Sequence, residues 1–341
     1  MNKKISLPGS PPIPGLAFRP FQGEQDYQHM WAVIEAAKHL DGVERSTSVE
    51  DIARNYSHLE NCDPYQDMLF AEIDGQVIAY GRVYWDQLAD GIRLYHIFGF
   101  LHPHWRHQGI SAVMWQYGER RAREIASGHP VDIPKFLQSE PFDSEMDMVA
   151  LLKSRSYAPV RYETYMRRDL SEPFPEAPMP AGLETRPVLE AHVGPIYHAS
   201  NEAFRDHWGA RDMTEEEHRN WMAAPTFKPE LWMVGWDGDE IAGVVHNFVD
   251  ENENKEYQRQ RGYTEGICVR KPWRKRGLAR SLLVQSMMMF KEMGMTETAL
   301  SVDSQNLSGA FRLYEGVGYR KIKQQTIYRK PLEQDSNREE Q

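Results

Sequence analysis

Apolar side chains recur at helical spacing just beyond residues 270–276. Leu278, Leu282, Leu283, Ser286, Met289 and Phe290 share one face, which predicts a helix from about Gly277 to Met293 with that stripe turned to a core. Residues 298–302 then form an apolar run of strand length, 303–306 break it, and 308–315 read as a short helix carrying Leu313 and Tyr314. Gly316 and Gly318 stop that helix before a strand at 319–328. Upstream, a strand near 183–187 leads into a helix over 188–204, and a second helix over 214–223 has Thr214 as N-cap and Glu217 closing a capping box. Strands 231–236 and 240–249 meet at the Asp237-Gly238 turn, and the polar segment 250–261 crosses to a strand at 263–269.

The same order of features occurs earlier in the chain, with a strand at 92–101 and a helix at 109–125. Arg19-Pro20 matches Arg186-Pro187, and the turn from Asp74-Gly75 matches that from Asp237-Gly238. Trp105-Arg106-His107-Gln108-Gly109 matches Trp273-Arg274-Lys275-Arg276-Gly277, while Tyr157 and Leu170 match Tyr319 and Leu332. The offset is nearly constant, so one domain is present twice. The expected division is 12–170, a proline-rich spacer over 171–182, and 183–332, with 333–341 and the segment before Pro14 disordered. Each copy is expected to be an α/β domain with a mixed sheet between helices.

Between the strand ending near Val269 and the helix opening at Gly277 lies a cationic loop. The first amides of a helix have no partner within it and face the loop, so they favour an anion. Gly277 admits close backbone approach, small Ala279 keeps the first turn clear, and Arg274, Lys275 and Arg276 supply charge for more than one phosphate. Neither the nucleotide-hydrolase loop nor the dinucleotide fingerprint is present.

The spacing Arg-x-x-Gly-x-Ala at 274–279, followed by the block Asn306 to Tyr319, resembles the GNAT acetyltransferase superfamily. The resemblance implies two tandem GNAT-like domains, each a mixed, mostly antiparallel sheet flanked by helices, and the arrangement is similar to the mycothiol synthase family. It further implies acetyl-CoA as donor, held by Cys268, Val269, Arg270, Arg274, Lys275, Arg276, Gly277, Leu278, Ala279 and Arg280, with Asn306 steadying its arm. Two central strands are expected to splay, freeing amides around Cys268 to Arg270 for the acetyl carbonyl. Tyr314 would be the general acid, since a phenol stays protonated near pH 7 and can supply the leaving thiolate.

Glu265 is the expected base that keeps an incoming amine neutral. Asp206 and His207 are expected on the acceptor side, and Cys268 reads as an inert strand residue, so direct transfer is favoured over a covalent intermediate. In the first copy Leu152 stands at the place of Tyr314 and Ser144 at that of Asn306, so residues 12–170 read as a degenerate copy without the acid. The reaction expected is acetyl transfer to a primary amine of a small molecule. A peptide or protein N-terminal acetyltransferase and a non-catalytic acetyl-CoA sensor are the alternatives.

Composition narrows the partners. The 341 residues carry a formal net charge of −10, against nucleic acid as a partner and mildly in favour of a cationic acceptor. Two cysteines in separate halves argue against a disulfide framework and against a zinc site built on cysteines, and histidines without ligand spacing imply no metal. No apolar run is long enough for a bilayer and no secretory segment forms, so a cytoplasmic chain without membrane contact is expected. Two internal copies can make between themselves the contact that single-domain relatives make by dimerising, which leans the expectation to a monomer.

Overall fold

A computed structural model describes residues 4–44, 46–211, 213–306 and 309–332. The chain divides into two compact units, one combining Met1–Val160 with the segment from Thr326 onward, the other Arg161–Gln325.

The first unit runs β1 (Leu16–Arg19), α1 (Gln25–Asp41), α2 (Val49–Ser57), α3 (Pro64–Asp67), β2 (Met68–Ile73), β3 (Gln76–Gln87), β4 (Arg93–Leu101), α4 (Ile110–Ser127), β5 (Lys135–Ser139) and α5 (Met146–Ser154). β6 (Ala158–Asp169) begins here and passes into the second unit. The second unit continues with β7 (Glu184–Thr185), α6 (Val193–Phe204), α7 (Glu215–Ala223), β8 (Met233–Asp237), β9 (Glu240–Phe248), α8 (Glu251–Glu256), β10 (Arg261–Val269), α9 (Leu278–Glu292), β11 (Glu297–Asp303), α10 (Ala310–Gly316) and the start of β12 (Arg320–Pro331).

Both units follow one plan. Antiparallel strands β1 to β4 and β7 to β10 lead to a single parallel pair, β4 with β5 and β10 with β11, reached by the crossover helices α4 and α9. The last strand is antiparallel and exchanged: the end of β6 pairs with β11, and the end of β12 with β5. Neither unit therefore coincides with 12–170 or 183–332. The repeat explains the difference, because two strands of matching pattern satisfy either sheet edge equally well.

The segment 171–182 lies within the second unit and is held there. Arg168 donates to the carbonyl of Pro173 at 2.8 Å, Arg276 to that of Ala181 at 2.9 Å, and Phe174, Ala177 and Met179 pack on the apolar clusters. It is a docked strap rather than a spacer. The start of the chain also differs from expectation, since Ile5 bridges to Phe18 and Leu7 is buried with it against α4. Burial of those two apolar side chains outweighs the proline content. The segment 333–341 and Ser308 lie outside the described residues.

Within the second unit, Leu282, Leu283, Met287 and Phe290 of α9 are fully buried, joining Met166, Leu300 and Tyr319 or, through Leu282, the cluster around Ala242 and Val245. Met289 is half-buried at its edge and Met288 exposed. Thr214 and Glu217 form the anticipated capping box of α7. Helix α8 escapes the sequence pattern because only Asn254 of its six residues is buried. Among the described residues no helix is long and apolar enough to cross a membrane.

Candidate active site

β10 stays with β11 for three rungs only, Arg261 to Glu297, Gly262 to Thr298 and Tyr263 to Ala299. β11 meanwhile remains paired with β6 as far as Asp303 opposite Glu163, so a cleft opens alongside β10 from Thr264 onward. On its other edge β10 is bulged. Glu265 faces His246 and Cys268 faces Val244, leaving Gly266 and Ile267 opposite Val245 alone. Gly266 has φ +56°, and a Cβ there would lie 2.3 Å from Nδ1 of His246, so the bulge requires glycine. The bulge redirects the strand where the cleft begins.

Glu265 spans that cleft. Its carboxylate accepts the backbone N–H of Ser301 at 2.9 Å and the Ser301 hydroxyl at 3.4 Å, satisfying an amide of β11 that the diverging strand no longer reaches. Burial pushes this acid up to about 8; the Ser301 amide pulls it back, and the negative charge of Glu163 pushes it further. A carboxyl that ionises just above neutrality suits a general base.

Tyr314 sits in α10, its ring 6.2 Å from that of Tyr319, whose hydroxyl shares a 2.6 Å hydrogen bond with Thr264. Burial, and then the charge of Glu265, raise the Tyr314 phenol far above its ordinary value, so it stays protonated. Cys268 is buried with its sulfur 3.8 Å from the Ser200 hydroxyl, and burial lifts the thiol to about 11. At that value the sulfur stays a thiol near pH 7. Ser200 Oγ lies 3.5 Å from Nε2 of His246, which burial pushes down to about 4 and keeps neutral.

The loop is built on two left-handed residues, Lys275 at φ +62° and Gly277 at φ +92°. Space around Gly277 is open, so its positive φ, not crowding, selects glycine in this structure. No side chain caps α9; the first amide with a helical partner is that of Ser281, on Gly277 at 3.1 Å, which leaves those of Leu278, Ala279 and Arg280 directed to the loop. Lys271, Lys275 and Arg276 are exposed beside them.

Arg274 does not stand free for a phosphate. Its guanidinium donates to the carbonyls of Val269 at 2.9 Å and Ala203 at 3.0 Å and to Asp206 at 3.3 Å, pinning the loop to the end of α6. Asp206 also meets Lys271 at 3.1 Å, and that hydrogen bond leads the causes holding its carboxyl below the usual range. It braces the loop ahead of α9. Arg270 is likewise engaged, with Glu202 at 3.0 Å and the carbonyl of Ile241 at 3.1 Å, and Arg280 reaches the carbonyl of Glu176 at 3.4 Å. His207 packs on Phe204, and burial, then the charge of Arg274, lower its imidazole. Asn306 occupies the turn after β11, its amide on the carbonyl of Asp303 at 3.1 Å.

Ser301, Glu163, His246 and the bulge at Gly266 had not been expected. Glycine directly after Glu265 inside a strand pattern was the one visible signal. The others depend on pairing between distant strands.

The first unit retains the scaffold without these groups. Tyr157 donates its amide to Leu152 at 3.0 Å as Tyr319 does to Tyr314 at 3.0 Å, which fixes the correspondence of leucine with the phenol. β3 and β4 pair without a bulge, and counting from the matching rungs Arg93–Lys135 and Arg261–Glu297, Ile97 stands where Glu265 does. Among the described residues no cluster of His, Cys, Asp and Glu is arranged to hold a metal.

Residues 194–319 match the acetyltransferase (GNAT) family. No curated protein sequence matches the chain. A GCN5-related N-acetyltransferase from Sphaerobacter thermophilus superposes with a TM-score of 0.72 at 24% identity, over 96% of this chain and 98% of that one. A tandem GNAT protein from the clavulanic acid biosynthesis pathway superposes with a TM-score of 0.67 at 12% identity, over 94% of this chain and 100% of that one. At these identities the likeness concerns the fold.

Proposed function

The second unit belongs to the acetyltransferase (GNAT) family through residues 194–319, and from that premise we propose that the protein transfers an acetyl group from acetyl-CoA directly to a primary amine of a small molecule. The observation that carries this reading is the buried Glu265 carboxyl, ionising at about 8, at the head of a cleft whose neighbouring phenol, Tyr314, never ionises. Two groups of opposite duty are thereby separated by environment.

The residues present suit coenzyme A. Three amides at the uncapped start of α9, the left-handed Gly277 and the exposed Lys275 form a cradle for paired phosphates, flanked by Lys271 on Asp206 and Arg276 on the Ala181 carbonyl. Arg274 acts one step back, keeping the loop in that shape. The coenzyme supplies an acetyl group activated as a thioester. Glu265 takes a proton from the incoming ammonium or amine, and Tyr314 holds the proton that the departing sulfur requires. Amides of the bulged strand, freed from β11, offer donors for the carbonyl oxygen.

The test is thiol release from acetyl-CoA across a panel of primary amines, with Tyr314→Phe and Glu265→Gln beside the parent. Turnover on at least one amine that collapses in Tyr314→Phe supports the proposal. Binding of acetyl-CoA without turnover on any amine would overturn it in favour of a sensor.

A further inference from the structure

The first unit keeps a cleft of its own, and its chemistry differs from that of its repeat. β4 and β5 part after His96 and Gln138, while Gly81 and Gly99 face each other across β3 and β4, leaving that one rung of the sheet without side chains. Two cavities meet there. The inner, about 60 Å³, is walled by apolar groups including Val83, Ile97 and Trp115. The outer, about 440 Å³, opens at the start of α4 and carries Asp41, Arg106, His107, Glu145 and Asp147. Met148 and Leu151 line both, so the two are continuous.

Charge separates this cleft from the one in the second unit. Arg106 is consumed by Asp41, bonded through both nitrogens at 2.6 and 2.9 Å, and that partner is the first cause raising its guanidinium. Glu145 accepts the Phe142 amide at 2.9 Å. Asp147 is loosely held, 3.4 Å from Arg106 and 3.6 Å from His107, and half exposed. Asp41 and Asp147 thus share one guanidinium. At the matching positions of the second unit stand Asp206, Leu307, Gly309, Arg274 and Lys275, and Lys271 and Arg276 replace Pro103 and Gln108. The positive end of α4 offsets roughly half a charge, less than the second of these carboxylates carries. A diphosphate is repelled from this mouth and an ammonium is drawn to it.

We infer that the cleft of the first unit is a binding site for a small primary ammonium compound with a short apolar tail, the ammonium on Asp147 and the tail in the cavity between α4, α5 and the sheet. Volume agrees with charge. The outer space lies in the range of small-molecule sites, and the inner one admits only a few carbon atoms. The ligand is of the acceptor's chemical class, yet its site contains neither Glu265 nor Tyr314. It stands whether or not the second unit transfers acetyl groups.

The test is calorimetry on the full chain without coenzyme, using pentylamine, pentan-1-ol and hexanoate as probes at pH 7.5. Pentylamine should bind, the alcohol at least tenfold more weakly, and the carboxylate not at all. Glu145→Gln with Asp147→Asn should weaken pentylamine tenfold or more, and Met148→Trp, which fills the junction of the two cavities, should abolish its binding; circular dichroism confirms that the variants fold. Hexanoate or acetyl-CoA binding in this cleft, or unchanged pentylamine affinity in the double variant, would overturn the assignment. So would loss of pentylamine binding in Glu265→Gln, which would place the amine in the second unit.

Discussion

Replacing Glu265 with glutamine removes the one acid whose ionisation burial delays until about pH 8. The substitution preserves shape: a glutamine carbonyl can still accept the Ser301 amide that the carboxylate now accepts at 2.9 Å. A base must be ionised to take a proton. One unit below its pKa about a tenth of the parent molecules are competent, and two units below about a hundredth, so kcat/KM should climb close to tenfold per pH unit from 6 to 7 and level off above 9. The assay is thiol release from acetyl-CoA between pH 6 and 9.5, with an acceptor whose amine is already neutral at pH 6, so that any limb belongs to the enzyme. In Glu265→Gln the rate should fall by a factor of about 10² to 10⁴ at the plateau and lose its slope. A limb of unchanged position in the variant, or a parent limb near pH 4.5, would refute the assignment of Glu265 as the base.

The same acid has a stability signature. Its folded pKa lies above its unfolded value of 4.5, so stability is fully present below about pH 4.5 and is lost as pH rises toward about 8, where at about 1.4 kcal/mol per unit the carboxylate costs on the order of 4–5 kcal/mol. Denaturant titrations at pH 5 and pH 9 should therefore show Glu265→Gln gaining on the parent at the higher pH, and a constant gap would contradict the burial argument. Gly266→Ala forces a side chain into a left-handed residue and onto His246, so a loss of at least 1–3 kcal/mol is expected in urea unfolding, where Ala at the open Gly238 should cost less. Lys275→Glu should raise the KM for acetyl-CoA several-fold or more with little change in thermal midpoint. Arg274→Glu should also lower the midpoint, because it releases the carbonyls of Val269 and Ala203.

Sequence alone determined the repeat, the crossover helices and the identity of the chemical groups, because each is written locally. Helical spacing buries Leu282, Leu283 and Phe290 of α9, Thr214 and Glu217 close their cap within four residues, and the left-handed Gly277 marks where the loop meets the helix. The contrast between Tyr314 and Leu152 was equally legible, since it needs only the repeat. Tertiary structure decided whatever depends on partners far apart in the chain. Which sheet receives β6 and which receives β12 is settled by pairing across more than a hundred residues, and matching strand patterns are silent on that choice. The duties of Arg274 and Asp206 were decided there too, because a guanidinium shows its charge in the sequence but not whether carbonyls of Val269 and Ala203 already claim it. The shift of Glu265 arises from burial in a cleft between diverging strands with Ser301 and Glu163 beyond it, a low-dielectric setting that no spacing of residues encodes.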